Sequence, residues 1–190
     1  MLPTLEEKLD PRIKRTRSLI LDSFGSLLAE RNFENISVQD VTDKAQINRA
    51  TFYAHFQDKY ALLDHFIDQT FNAALEKRTL SACTYSLNNL RSLIYVVCEF
   101  LVGLHTNCAQ IHDQFESLVE GQIKRQIFEL LSHWLTQAKP GISSEIPATV
   151  ATWAIYGLAS HYSHKKKRPA LEKFVDEAFP LVAVNLEQFA

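Results

Sequence analysis

Glycine and proline are scarce, at 5 and 6 of 190 residues, and no strand-and-turn rhythm punctuates the chain. That scarcity argues against a sheet built on tight hairpins and favours an all-α fold. No Gly-rich phosphate loop, no Gly-x-Ser-x-Gly elbow and no paired Cys motif occurs, so Ser-His-Asp or phosphate-loop catalysis has no support. Cysteine is limited to Cys83, Cys98 and Cys108. Three widely spaced thiols suit a reducing cytoplasm and make no disulfide framework. No run approaches the ~20 uninterrupted apolar residues of a membrane span. Leu5 to Arg17 is too charged for a secretory leader. The expected setting is cytoplasmic, with no membrane partner. Charge of one sign is missing too: the net charge is −2, and residues 1–60 hold nine Lys/Arg against nine Asp/Glu. Any affinity for a polyanion must therefore come from where the cations sit.

Against these absences, hydrophobic residues make up 46% of the chain, enough for a sizeable core. Residues 37–59 read as two short helices joined by a tight turn. Ser37 is placed to cap the first, with Asp40 three residues on. Val38, Val41 and Ala45 recur at helical spacing on one face. Gln46 and Ile47 form the turn, Asn48 caps the second helix, and Arg49 to Phe56 continue it. Phe52 and Phe56, at i and i+4, face inward and leave Arg49, Thr51, Tyr53 and His55 outward. A short capped helix with Arg, Thr, Tyr and His on its free face meets the requirements of a major-groove reader.

These residues carry a resemblance. Ile36, Val38, Val41, Ala45, Ile47, Thr51, Phe52, Tyr53, His55, Phe56, Lys59 and Leu62 match the helix-turn-helix of the tetracycline-repressor (TetR) family of bacterial transcription regulators. The run Thr51 to Phe56, followed by Asp58, Lys59 and Leu62, is the specific part. The resemblance covers roughly residues 12–70. The family often has glycine where this chain has Gln46, a position that a left-handed turn would disfavour for a side chain. The resemblance implies a DNA-binding domain over residues 1–58 and an effector-binding, dimerising helical domain over residues 59–190. It also implies that the last two helices pair with those of a second copy.

Taken in order, residues 1–10 form a frayed arm too acidic for a minor groove. Arg12 to Arg31 is a helix with Ile13, Ile20, Phe24, Leu27 and Leu28 on its apolar face. Arg12, Lys14, Arg15 and Arg17 crowd its first turns, either as a solvated end or as a phosphate clamp. Asp58 to Arg78 makes the connecting helix, and residues 79–86 a loop. Leu87 to His105 is apolar nearly all round and should lie at the centre of a bundle. Asn107 to Val119 and Gly121 to Ala138 read as two further helices. Pro147 to His164 follows, rich in small residues, and Pro169 opens the last helix, which Pro180 kinks or divides.

The candidate site residues follow from this plan. Arg49 and Thr51 are expected at base edges and Asn48 at a base or phosphate. Arg15, Ser37, Tyr53, His55 and Lys59 are expected at phosphates. Tyr95, Phe100, His105, Phe115, Trp134, Trp153 and Tyr156 could line an effector pocket, or simply fill the core. Ala151, Ile155, Leu158, Phe174 and Ala178 are the expected dimer face. His105, Cys108 and His112 have donor types that zinc accepts, but no fourth ligand is evident, and the edge of a ligand pocket is the preferred reading. No metal and no cofactor is expected. The partners are double-stranded DNA carrying an approximate palindrome, a second copy of the chain, and a small hydrophobic effector. The function so implied is a transcriptional regulator, a repressor released by its effector. The alternative is a helical protein-binding module of the same fold that no longer reads DNA. A helical-bundle enzyme or metal protein built on residues 98–133 is a second rival.

Overall fold

The computed structural model describes residues 10–78, 80, 84–107 and 113–189; the side chains of residues 107, 113 and 114 are not among those described. Among the described residues eight α-helices follow one another: α1 (Pro11–Glu30), α2 (Val38–Ala45), α3 (Arg49–Tyr53), α4 (Lys59–Glu76), α5 (Leu87–Asn107), α6 (Asp113–Ala138), α7 (Glu145–His164) and α8 (Leu171–Ala183). Short 3-10 turns lie at Phe33–Asn35 and Val184–Phe189. The fold is all-α, with no strand among the described residues. The chain divides into two compact units, and within α4 the division falls between Phe66 and Ile67.

The head unit is a small core under three helices. Pro11 opens α1, and Asp10 accepts from the Arg12 N–H at 2.8 Å. Ile20, Phe24 and Leu27 of α1 are buried, as are Val41, Ala45, Phe52 and Leu62 of the elements that follow. Phe24 stands edge-on to Phe33 and Phe66, at 6.3 and 5.6 Å between ring centres. Gly25 lets that aromatic cluster close, since a Cβ there would lie 2.9 Å from the Phe66 ring. One expectation for α1 changes. Ile13 is 40% exposed, as its neighbours in the first turns are, while Leu21 joins the buried face.

The turn between α2 and α3 forms where the sequence places it. Gln46 ends α2 in the left-handed region, at φ 54° and ψ 42°, and its N–H returns to Asp43 and Thr42 carbonyls. For an L residue that conformation costs about 1–2 kcal/mol, partly offset by the greater entropy a glycine loses on folding. Gln46→Gly is expected to stabilise the head by a few tenths to about 1 kcal/mol, read as a higher denaturation midpoint. A lower midpoint would mean that the Gln46 side chain itself holds the turn.

The body unit is built on α5. Leu90, Leu93, Ile94, Val97, Cys98 and Leu101 are buried along it. Burial pushes the Cys98 thiol up to about 12, which keeps it protonated and inert. By length and composition Leu87–Thr106 would also pass for a membrane span. Here it is a core helix, with Arg91 paired to Asp176 and Glu99 facing Arg78 at 4.0 Å. One helix, α6, replaces the two expected on either side of Gly121. A helical glycine costs only about 1 kcal/mol against alanine, and burial of Val119 and Ile123 on its two sides carries the helix through. Pro180 stays inside α8, which passes into the 3-10 turn after Ala183.

Candidate nucleic-acid interface

The head presents α3 through two side-chain caps. Ser37 and Asp40 form a reciprocal capping box at the start of α2: the Asp40 N–H donates to Ser37 Oγ at 3.2 Å, and the Ser37 N–H to Asp40 Oδ2 at 2.8 Å. The Ser37 hydroxyl also donates to Asp40. These bonds hold the Asp40 carboxyl below its ordinary pKa, the Ser37 contacts first and the Arg31 charge after them. Ser37 is thus engaged in the cap, and a phosphate would have to compete with Asp40 for its hydroxyl.

Asn48 caps α3. Its Oδ1 accepts from the Thr51 N–H at 2.7 Å and from the Thr51 hydroxyl at 2.9 Å. With the carbonyl oxygen engaged in the cap, the amide NH2 of this exposed residue is the group left for acceptors. Arg49 is exposed and lies along Tyr53, one helical turn on, with Nη2 donating to the phenol oxygen at 3.3 Å and the guanidinium 6.0 Å from the ring centre. Tyr53 is 48% exposed. Stacking of this kind fixes an arginine fork before it meets a partner and reduces the entropy lost on binding. Ala50, to which the sequence assigned no role, is exposed between Arg49 and Thr51. Its methyl is suited to a thymine methyl.

The second motif helix is shorter than expected, ending at Tyr53 and not Phe56. The His55 N–H turns back to the Phe52 carbonyl at 2.9 Å, which tightens the last turn while Phe56 still packs inward. His55 is half-buried. Burial, and then the Arg17 charge, hold its pKa below the usual 6.5, which favours the neutral ring. Arg17 itself is half-buried with its guanidinium 5.1 Å from the Phe56 ring centre, while Arg12 and Arg15 stand exposed at the first turn of α1. Lys59, expected at a phosphate, is engaged within the head. Its Nζ donates to the carbonyls of Phe33, Glu34 and Ile36, at 3.1, 3.1 and 3.0 Å. An ammonium has three N–H bonds, and three acceptors surround this one.

The seven residues expected at an effector pocket differ in exposure and in neighbours. Tyr95 lines an open cleft of about 430 Å³ with Arg78, Arg91 and Glu172, and its hydroxyl donates to Glu172 at 3.3 Å. Phe100 is edge-on to Phe71, and Phe115 lies in the head unit, 5.7 Å from Phe33. Trp134 is fully buried, whereas Trp153 is 60% exposed under the Lys124 ammonium, 3.4 Å from its ring centre. Tyr156 is buried, and burial first, then Glu120 and Glu116, raise its phenol. His105 turns Nδ1 to the Leu101 carbonyl at 2.8 Å. Its expected companions Cys108 and His112 lie outside the described residues, as does the arm at residues 1–9.

The expected dimer face is corrected. Ala151, Ile155, Phe174 and Ala178 are buried within the protomer, where α7 packs on α8. Small residues at 3–4 spacing did bring another helix close, but that helix belongs to the same chain. The apolar side chains that remain exposed on the pair are Ile146, Val150 and Trp153 of α7, Leu181 of α8 and Val184 just after it. Leu158 is half-exposed, and Gly157 has nothing within 4 Å of where a Cβ would be.

Three helices with two capped turns, and a polar exposed side on the third, define a helix-turn-helix protein. Residues 20–66 match the family model for bacterial regulatory proteins of the tetR family. Over residues 20–66 the head is thus similar to the DNA-binding domain of that family. It is similar to the uncharacterised HTH-type transcriptional regulator YxbF of Bacillus subtilis (strain 168), 33% identical over 78 residues, 40% of this chain and 20% of that one. It is 27% identical to the HTH-type transcriptional repressor KstR2 of Rhodococcus jostii (strain RHA1) over 118 residues, 60% of this chain and 57% of that one. The matched stretches thus span about a fifth to rather more than half of these relatives. The fold is shared with FadR of Bacillus subtilis, solved in complex with stearoyl-CoA, at a TM-score of 0.60 and 15% identity over 88% of this chain and 98% of that one.

Proposed function

We propose that the protein is a cytoplasmic transcriptional repressor that binds an approximately palindromic DNA operator as a homodimer. The observation that carries this reading is the outward face of α3. Arg49 is exposed and lies along Tyr53, Asn48 is exposed with its carbonyl oxygen held in the cap, and Ala50 and Thr51 stand beside them. One such head is too small for operator specificity, and two related by a twofold axis read two half-sites. The twofold mate is proposed to sit on the exposed side of α7 and α8, around Val150, Trp153, Gly157, Leu181 and Val184, in place of the buried residues first expected there.

Release by a small hydrophobic effector is part of the proposal. FadR, which shares the fold, was solved with a fatty acyl-CoA. Within the body, Trp134 Nε1 and Thr152 Oγ1 are buried with no hydrogen-bond partner among the described residues. Such atoms cost about 1–3 kcal/mol each, a penalty that a ligand with matching groups relieves. The effector shifts operator affinity only as far as it prefers the other conformation.

DNA selected from a random pool by the protein should carry an inverted repeat. On that DNA, Arg49→Ala is expected to lose roughly 1–3 kcal/mol of discrimination, a fall of about 5- to 150-fold in operator affinity with scrambled DNA little changed. Titrations at several salt concentrations measure both. Equal losses on the two DNAs would remove Arg49 from base reading, and no selected motif at all would favour the protein-binding alternative.

A further inference from the structure

The body unit holds a second constellation that DNA binding does not use. His105 near the end of α5, Glu116 in the first turns of α6 and His164 at the end of α7 each bring one ligand atom to a common point, all within 4.8 Å of one another. His164 Nε2 lies 3.3 Å from Glu116 Oε1, and the two imidazoles meet edge to face at 4.6 Å between ring centres.

The hydrogen bonds settle which nitrogens face inward. His105 Nδ1 is 2.8 Å from the Leu101 carbonyl, and His164 Nδ1 is 2.8 Å from the Ser160 carbonyl and 3.4 Å from Ser163 Oγ. A carbonyl only accepts, so each Nδ1 carries the proton. The Nε2 of His164 faces the Glu116 carboxylate with the His105 ring beside it, so two imidazoles and a carboxylate, donor types that a divalent metal accepts, converge on one point. Backbone carbonyls fixing the far nitrogen of each imidazole are the usual support for histidines that bind a metal. Bonds of about 2.0–2.1 Å at tetrahedral angles need ligand atoms about 3.3 Å apart, which the His164–Glu116 pair already satisfies.

We propose that His105 Nε2, His164 Nε2 and a Glu116 carboxylate oxygen bind a divalent first-row metal ion with imidazole preference, for which Zn2+ is the probe. Three protein ligands leave the fourth position to water or to an exogenous donor. The expectation of no metal came from pairing His105 with Cys108 and His112 along one stretch of chain. The geometry pairs it instead with groups on two other helices. The site stands independently of the DNA reading, because its test contains no DNA.

The experiment is a Zn2+ titration of the full-length, tag-free, chelator-stripped protein against a chromophoric competitor, with Co2+ absorption as a second readout. One ion per chain is expected at micromolar affinity or tighter, with a Co2+ spectrum free of thiolate charge transfer. Mutation of an outer-shell partner alone weakens metal sites by about 10- to 100-fold, so His105→Ala and His164→Ala should each weaken this one by at least about 100-fold. The near-isosteric Glu116→Gln, which guards against misfolding, should weaken it by at least about 10-fold. Zn2+ should raise the thermal midpoint of the wild type and not of the histidine variants. Unchanged affinity in His164→Ala, loss of binding in Cys108→Ser with a thiolate band in the wild type, or no ion bound at tens of micromolar would each overturn the proposal.

Discussion

Leu181→Glu is expected to convert the protein to a folded monomer and to weaken operator binding by roughly 10²- to 10⁴-fold. Leu181 is 64% exposed, so glutamate meets water in the isolated protomer and the fold should survive. Its helix keeps its own core, since Phe174, Val175, Ala178 and Val182 face inward and are untouched. Across the proposed twofold, the substitution would instead place two carboxylates against apolar side chains from both copies. An unpaired charge buried at an interface is among the most costly single changes. The loss on DNA follows from arithmetic. With two linked heads the second binding event occurs at an effective concentration near millimolar, and separate monomers lose that advantage without losing any contact. Analytical ultracentrifugation reads the oligomeric state, and anisotropy titrations on full and half operators read the affinity. The variant should bind half and full sites alike. A Leu181→Glu protein that remains dimeric would move the interface away from α8. The contrasting variant is Ala178→Glu, at a position buried inside the protomer; it should unfold the body and so cannot report on the interface.

That contrast also marks what was legible in the sequence. Ser37, Asn48 and Gln46 were readable because a cap or a turn is closed by hydrogen bonds within a few residues, and the structure has them at those positions. The buried faces of α1, α2 and α5 were readable from periodicity, since most apolar residues at helical spacing found cover. What periodicity cannot give is the identity of the neighbour. Ala151 and Ile155 announced a close helix without saying that it was α8 of the same chain. Gly121 looked like a break because its local penalty is visible in the sequence, whereas the burial of Val119 and Ile123 that outweighs it is not. The grouping of His105 with Glu116 and His164 depends on three helix ends meeting, and no spacing along the chain encodes that. Lys59 shows the same limit at the candidate interface, since no spacing along the chain announces the three carbonyls that its side chain meets.

For Lys59 the geometry leads to a different expectation from that of a phosphate contact. The ammonium is the hub of a small closure: three carbonyls of the segment Phe33 to Ile36 converge on it, and it lies 4.7 Å from the Phe33 ring centre and 5.7 Å from that of Tyr60. Phe33 in turn is edge-on to Tyr60 at 5.4 Å. The charge therefore ties the turn after α1 to the start of α4 over an aromatic base. Hydrogen bonds to a charged group contribute about 1.5–3 kcal/mol net, and the carbonyls left behind are only partly able to reach water. Lys59→Met keeps the stem and removes the donors, and it should lower the stability of the head by about 2–3 kcal/mol. Lys59→Arg should recover only part of this, because a planar fork cannot aim at three converging carbonyls as a tetrahedral ammonium does. Denaturation midpoints measure the first effect. Operator titrations under conditions where the variant is folded measure the second: the dependence of affinity on salt should match the wild type. If Lys59→Met instead keeps the wild-type midpoint and its salt slope is shallower by about one, the ammonium leaves its carbonyls to meet a phosphate, and the side chain belongs to the DNA surface after all.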